Sequence, residues 1–479
     1  MAPMAERVAV RYGTAQGRWV IIAAVLGSGV VFLDGTVVNV ALPALSRDLD
    51  ASVRGLQWIL DSYLVTLSAL LLLGGNAGDR YGRRRMFVAG LAGFVAASVL
   101  CGLAPGVGFL VAARALQGVA GALLVPASLS IISSAFDGDD RGRAIGAWSG
   151  LAAVAGALGP LVGGWLIDAG SWRLIFFLNA PVAALGMVIA VRHVPETSDD
   201  DAGALDVSGA ALVSAGVALV AYGLIEHSVL AGIAGVAALA GFFAVERRGD
   251  QPMLPLSLFA SAQFTGANLT TVAVYGAMSA ALFLITVRLQ VTLGYSALEA
   301  GASMLPFTGL MLALSAHVGG LAQRIGPRLP MTAGPLLSAG GLLLFAGVGP
   351  GDRYFAAVLP AVILFGLGMT VTVSPLTAAV LGAVDRRRAG VASAVNNVAA
   401  RLAGLLGIAL IPAVAGIDTA GGLAGSLGSG YGTALQISAA LCAVGAGLAW
   451  WFVRSSVSVR PITHPDPQHA CHDACVHAA

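Results

Sequence analysis

The sequence predicts an all-α polytopic membrane protein on three observations. About fourteen apolar stretches run from Arg18 to Arg454, each close to the ~20 residues that cross a bilayer as a helix. The 479 residues are 57% hydrophobic and only 10% charged, with a mean hydropathy of +0.86; a soluble domain carries roughly 25% charged residues. No stretch shows the alternation of about ten residues that marks a membrane β-strand.

The spans are read in order at 19–43, 57–78, 86–104, 108–134, 143–167, 174–192, 205–224, 228–246, 264–290, 300–322, 329–348, 354–381, 389–415 and 432–453. The first follows Arg7, Arg11 and Arg18 and has no small-residue cleavage site after it, so it is a retained span rather than a signal peptide. The second ends on a loop of glycine and arginine. The fifth holds Gly159-Pro160 and Gly163-Gly164, where a missing backbone donor and missing side chains permit a bend or close packing. Several connections are too short to fold alone, so the spans pack against one another.

Orientation follows from arginine, which supplies all 26 basic residues. With the N-terminus in the cytoplasm, 19 of the 26 fall on that side and four, Arg47, Arg54, Arg173 and Arg353, on the other. Both termini are then cytoplasmic, in the cytoplasmic membrane of a bacterium whose Ala, Gly and Arg usage points to a GC-rich genome.

A weak repeat relates the loop Gly75–Arg84 to Gly320–Arg328. It divides the chain into a six-helix bundle (1–198), an inserted pair of helices (199–250) that begins among Glu196, Asp199, Asp200, Asp201 and Asp206, a second six-helix bundle (251–455) and a cytoplasmic tail (456–479) expected to be disordered. Repeated halves with a site between them near the midplane are the plan of a transporter.

Charge is expensive at membrane depth, so Asp34, Asp61, Arg114, Arg288 and Arg401 are the first functional candidates. Asp34 is read as a deep carboxyl able to bind and release a proton, with Arg114 its candidate partner; the structural alternative is an aspartate permanently paired with arginine or hydrogen-bonded to Thr36 or Asn39. Asp61, nearer the outer end of its span, is a second protonation site, a cation-attracting residue at the extracellular mouth, or an interfacial residue facing water. Arg401 is expected to stabilise the bundle by bonding backbone carbonyls. Glu226, Glu299 and Asp352 read as interfacial. His317 is a proton relay, a substrate contact or a hydrogen-bonded structural residue. Cys101 and Cys442 behave as small hydrophobes, and no disulfide framework is implied. His464, His469, Cys471, His472, Cys475 and His477 in the tail lack the paired spacing of a zinc module.

Gly75-Asn-Ala-Gly-Asp79-Arg80-Tyr-Gly82-Arg83-Arg84, Arg114-Ala-Leu-Gln117-Gly118, Gly159-Pro160-Leu-Val-Gly163-Gly164 and Leu33-Asp34-Gly-Thr36-Val-Val-Asn39-Val-Ala41-Leu-Pro43 together resemble the signatures of the major facilitator superfamily, and within it the fourteen-span drug:proton antiporter family. Gln57-Trp58 with Tyr63, Trp172-Arg173 with Asn179-Ala-Pro181, and Asn396-Asn397 with Arg401 extend the resemblance over nearly the whole chain. Ala155 stands where that family has glycine.

The resemblance implies a major facilitator fold of two six-helix bundles plus two inserted helices. It implies proton coupling through Asp34, Asp61 and Arg114. It implies a substrate cavity with Trp58, Tyr63, Gln117, Asn396, Asn397 and His317. Gating falls to Gly75, Asp79, Arg80, Gly82 and Arg83 with Gly159, Pro160, Gly163 and Gly164, Asp79 latching one conformation without touching cargo.

The expected activity is secondary active export of a drug or amphipathic toxin in exchange for protons. A narrow-range metabolite or antibiotic self-resistance transporter is the alternative, and a non-transporting ligand sensor is less favoured. Without a Walker A sequence the energy source is the proton motive force, with no cofactor. A lipophilic or cationic small molecule, protons and the bilayer are the expected partners of a monomer; no basic face suggests nucleic acid, and no nucleophile and base pattern suggests an enzyme.

Overall fold

The computed structural model describes residues 10–198, 207–247, 254, 256–384, 389–417 and 423–455. Asp199–Asp206, the arginines 386–388 and the His- and Cys-bearing tail lie outside them.

Every regular element among the described residues is helical. Helices α1 (Ala15–Leu49), α2 (Val53–Tyr81), α3 (Arg83–Gly102), α4 (Val107–Ala135), α5 (Gly138–Ala169), α6 (Arg173–Phe177) and α7 (Asn179–His193) form the first half. Helices α8 (Val207–Ile225) and α9 (Val229–Glu246) form a hairpin. The second half holds α10 (Ala262–Val291), α11 (Ala297–Ser303), α12 (Leu305–Ile325), α13 (Arg328–Ala346), α14 (Leu359–Gly382), α15 (Ala389–Val414) and α16 (Leu423–Phe452). Among the described residues 13 helices are long and apolar enough to cross a bilayer, and Val53–Leu71 with Leu73–Tyr81 makes a fourteenth as a span bent by 50°.

Several helices outrun their apolar stretches. The 35 residues of α1 rise about 50 Å at 1.5 Å each, beyond the ~30 Å of hydrocarbon. Hydropathy marks only the part in lipid; the caps mark the ends. At its start the Thr14 side chain accepts the Gly17 N–H, and at its end Asp50 turns through the left-handed region.

Glycine repeats in the two halves do the same work. Gly82 (φ 107°) and Gly326 (φ 84°) turn the chain where a side chain is strained. Each is also covered by the end of its own half: a Cβ on Gly82 would meet the Glu196 carboxylate at 2.7 Å, and one on Gly326 the Ser455 carbonyl at 2.3 Å. Glu196 therefore belongs to the Gly75–Arg84 loop, accepting the Arg84 N–H at 3.0 Å and pairing with the Arg84 and Arg85 guanidinia, rather than merely opening the insertion.

Packing separates the two membrane faces. One apolar core spans both halves, joining Leu42, Leu56 and Ile59 to Val274, Leu284 and Ile408. It lies toward the face that carries Asp48 and Asp168. Toward the face that carries Asp79, the fully buried residues split into a first-half cluster around Phe87, Phe94 and Phe136 and a second-half cluster around Phe264, Met331 and Leu376. The halves are thus joined chiefly on the Asp168 face; toward the Asp79 face Val398 of α15 is the second-half residue that packs on the first-half cluster.

Candidate functional site: a polar seam between two helical halves

Asp34 is fully buried at the middle of α1. Its carboxylate is the hub of a closed polar cluster. One oxygen takes the Arg114 guanidinium from α4; the other accepts from Gln117 and Asn179, each at 2.9 Å. Ser98 accepts from both of those amides. Arg114 also donates to Gln117 at 2.6 Å and to the Ile59 carbonyl at 3.2 Å, with its guanidinium carbon 4.2 Å from the Tyr63 ring centroid. Each charge is compensated and each main donor used, the condition under which a buried pair holds.

This corrects part of the sequence reading. Asp34 meets Arg114, but Thr36 and Asn39 turn to carbonyls of Gly156 and Gly35 instead. Tyr63 and Gln117 sit inside the first half, so they hold the ion pair rather than line a cavity. Asn179 was legible only as part of a motif, and Ser98 gave no signal, since one serine in an apolar helix is common.

Asp61 differs sharply. It is wholly buried rather than facing water, and among the described residues neither carboxylate oxygen has a hydrogen-bond partner. One turn above it Gln57 donates to the Ile408 carbonyl of α15 at 2.8 Å; one turn below, Val65 packs with Val217, Ala221 and Leu405. Asp61 therefore lies on the seam of α2 that meets α15 and α8.

Trp58 leaves the expected cavity for the hairpin. Its indole N–H donates to Glu226 at 2.8 Å, its ring lies 5.9 Å from that of Tyr222, and Arg54 pairs with the same carboxylate at 3.1 Å. Glu226, read as merely interfacial, is the anchor of the insertion.

Four hydrogen bonds join the halves among the described residues. Besides Gln57 to Ile408, Gln290 donates to the Val40 carbonyl at 2.9 Å, and Asp168 accepts the N–H groups of Ala297 and Leu298 at 3.2 and 2.9 Å. All lie on the Asp168 face. There the small residues of α5 divide their work: Gly159 and Gly163 admit Thr36 and Val37 of α1, whereas Gly164 and Pro160 meet the backbone of Ala297 and Gly301 on α11. Ala155 fits because Gly29 faces it.

On the opposite face Asp79 pairs with Arg83, 2.7 Å away and four residues on, and stays about a third exposed. Arg80 lies 5.8 Å from the Tyr81 ring centroid, and a Cβ on Gly75 would meet only Pro126 in ordinary contact. The loop's ion pairs are all within the first half.

In the second half Asn396 donates to Asn268 and Thr271, at 3.2 and 2.7 Å. Asn397 and His317 are exposed, His317 near the Ala313 carbonyl. Arg288 donates to the Val348 carbonyl and lies 4.8 Å from the Tyr431 ring centroid. Arg401, midway along α15, is half-buried and reaches the Phe32 ring of α1, 5.9 Å from its centroid; among the described residues it bonds no carbonyl, contrary to the expectation for it.

A profile of the Major Facilitator Superfamily matches residues 24–408. The chain belongs to that superfamily. This facilitator is similar to the multidrug resistance protein Stp of Mycobacterium tuberculosis, 33% identical over 404 residues that cover 82% of this chain and 75% of Stp. It is 35% identical to the puromycin resistance protein of Streptomyces alboniger over 489 residues, 95% of each chain, and 32% identical to the tetracenomycin C resistance and export protein of Streptomyces glaucescens over 407 residues, 82% and 74%. Solved facilitators share the fold: a peptide-transporter (POT) family member bound to 5-aminolevulinic acid (TM-score 0.69, 12% identity, 90% of this chain and 94% of that one) and a bacterial homologue of Spinster (0.66, 18%, 91% and 97%).

Proposed function

We propose that this facilitator exports small amphipathic toxins or antibiotics from the cytoplasm of a bacterium in exchange for protons. The relatives support the cargo class, being named for multidrug, puromycin and tetracenomycin C resistance. The observation that carries the coupling is the contrast between two buried carboxyls on neighbouring helices: Asp34 held by three donors, Asp61 by none. An uncompensated buried carboxylate costs several kcal/mol, so Asp61 is where a proton rides while the cavity faces this way. Asp34 takes one only when Arg114 lets go. Cargo and proton then compete through one rocking equilibrium, in which each binds one orientation better.

The arginine-rich Asp79 face supports a cytoplasmic placement of both termini, and the joining of the halves chiefly on the Asp168 face supports a cavity open to the Asp79 side. Asp79 with Arg83 and Gly82 serves as the gate, released in this state, and the protein works as a monomer. A narrow-range self-resistance exporter is the second reading, favoured by relatives named for single antibiotics.

Everted vesicles test it. Adding puromycin to vesicles holding a respiratory pH gradient should release protons from the lumen, seen as recovery of quenched acridine fluorescence, and Asp61→Asn and Asp34→Asn should each remove the response. A panel of amphipathic drugs that moves no protons in the wild type ends the proposal.

A further inference from the structure

Among the described residues the second half contributes one charge to the middle of the membrane, and it is a cation without an ion-pair partner. Arg401 lies midway along α15. Among the described residues it makes no ion pair and no hydrogen bond, although most of its surface is taken from solvent. Every other arginine singled out in the spans is occupied: Arg114 by Asp34, Arg288 by the Val348 carbonyl. The guanidinium reaches across the interface to Phe32, which itself packs on Gly156 of α5. The cation thus stands between α15, which packs on α2 and α8, and the Phe32 ring of α1.

Its surroundings set what can bind. Above it, toward the Asp168 face, Leu405 and Ile408 are sealed against α2. Below it, four residues back on the same helix face, Asn397 is exposed, beside Val398, which packs on the first-half cluster. The site is therefore the roof of a cleft, reached from one side. Asp61 lies on the facing seam but bonds nothing, and Asp34 is spent on Arg114. Among the described residues, no carboxylate of α10 to α16 lies at this depth: Glu299 caps α11 through Ser296 and Asp352 takes the Gly349 N–H, both at the far rim. An unpaired, partly desolvated guanidinium beside an aromatic ring is a receptor for a planar acid, since it offers two parallel donors to a carboxylate or phenolate, and it repels a cation.

We propose that Arg401 selects anionic aromatic cargo, compounds carrying a carboxylate or acidic phenol on a flat apolar ring system, over the cationic cargo that multidrug resistance proteins suggest. The inference rests on the exporter reading for its setting but not for its test.

Two xanthene dyes of matched shape provide it: fluorescein, an anion, and rhodamine 6G, a cation. Binding to the purified full-length protein in nanodiscs is read by fluorescence polarisation. Wild type should bind fluorescein at least tenfold more tightly than rhodamine 6G. Arg401→Gln should lose at least tenfold for fluorescein while leaving rhodamine 6G unchanged or tighter, and Arg401→Lys, which keeps the charge but not the two-donor fork, should recover only part of the fluorescein affinity. Absent or equal fluorescein binding in the wild type, or equal losses of both dyes in Arg401→Gln, overturns the assignment. Export is scored separately in everted vesicles. Fluorescein bound but never moved by a pH gradient sinks the exporter reading alone, whereas rhodamine 6G moved with no fluorescein bound sinks this inference alone.

Discussion

At the residue scale the two buried aspartates make opposite demands on stability. Asp34→Asn strands the Arg114 guanidinium in an apolar bundle, and breaking such a pair costs about 3–5 kcal/mol. The variant should melt well below wild type, and Asp34→Asn with Arg114→Gln should regain part of the loss because no lone charge remains. Asp61→Asn gives up no donor and should stay within about 1 kcal/mol of wild type. Thermal unfolding in detergent, followed by tryptophan fluorescence, separates the three; a large loss in Asp61→Asn would mean that Asp61 has a partner. The identity of these residues was legible in the sequence, because ionisable groups in apolar runs stand out. Their states were not, since pairing depends on which helices touch. Asn179 and Ser98 come from α7 and α3, far along the chain from α1, and nothing local marks them as ligands of Asp34.

At the element scale α5 is the helix on which the halves close. Gly164 is the tight point, a Cβ there falling 2.5 Å from the Ala297 carbonyl. Gly164→Val should wedge α5 from α11 and shift the population toward opening on the Asp168 face. Spin labels on Leu103 and Phe355, both exposed on that rim, should then report a longer distance; an unchanged distribution would show that α11 yields without cost. Helix α2 offers a second case. Its start is tied to the hairpin through Glu226, so Glu226→Gln should release the partly buried Arg54 pair at a cost of about 1 kcal/mol, and blue-to-red displacement of the Trp58 emission checks it. The helices themselves were legible from hydropathy to within a few residues at most ends. The bend in α2 was not, because no proline marks it, and the pairing of α8 with α2 and α15 rests on small-residue packing that periodicity does not reveal.

For the whole molecule, the clamp at Asp168 is the contact whose loss is expected to change which way the halves open. Asp168→Ala removes two acceptors from the first turn of α11, and outward opening should become more frequent, read as faster labelling of cysteines on the Asp168 side of the cleft by an impermeant reagent. Topology has its own check. A cysteine at His227 should react from outside intact cells and one at Arg247 should not; the reverse pattern would invert the molecule. The fourteen spans and the superfamily were legible because motifs survive in loops and helix crossings. The resting conformation was not, as it depends on a balance of contacts between halves that either orientation could satisfy. The hairpin's seat carries one more consequence. Helix α8 covers the line where α2 meets α15, while α5 and α12 have no such cover and turn much of their length outward. A compound dissolved in the surrounding leaflet would therefore meet one flank shuttered and the other ajar, and any sideways recruitment from lipid is expected through one door, on the α5 and α12 side.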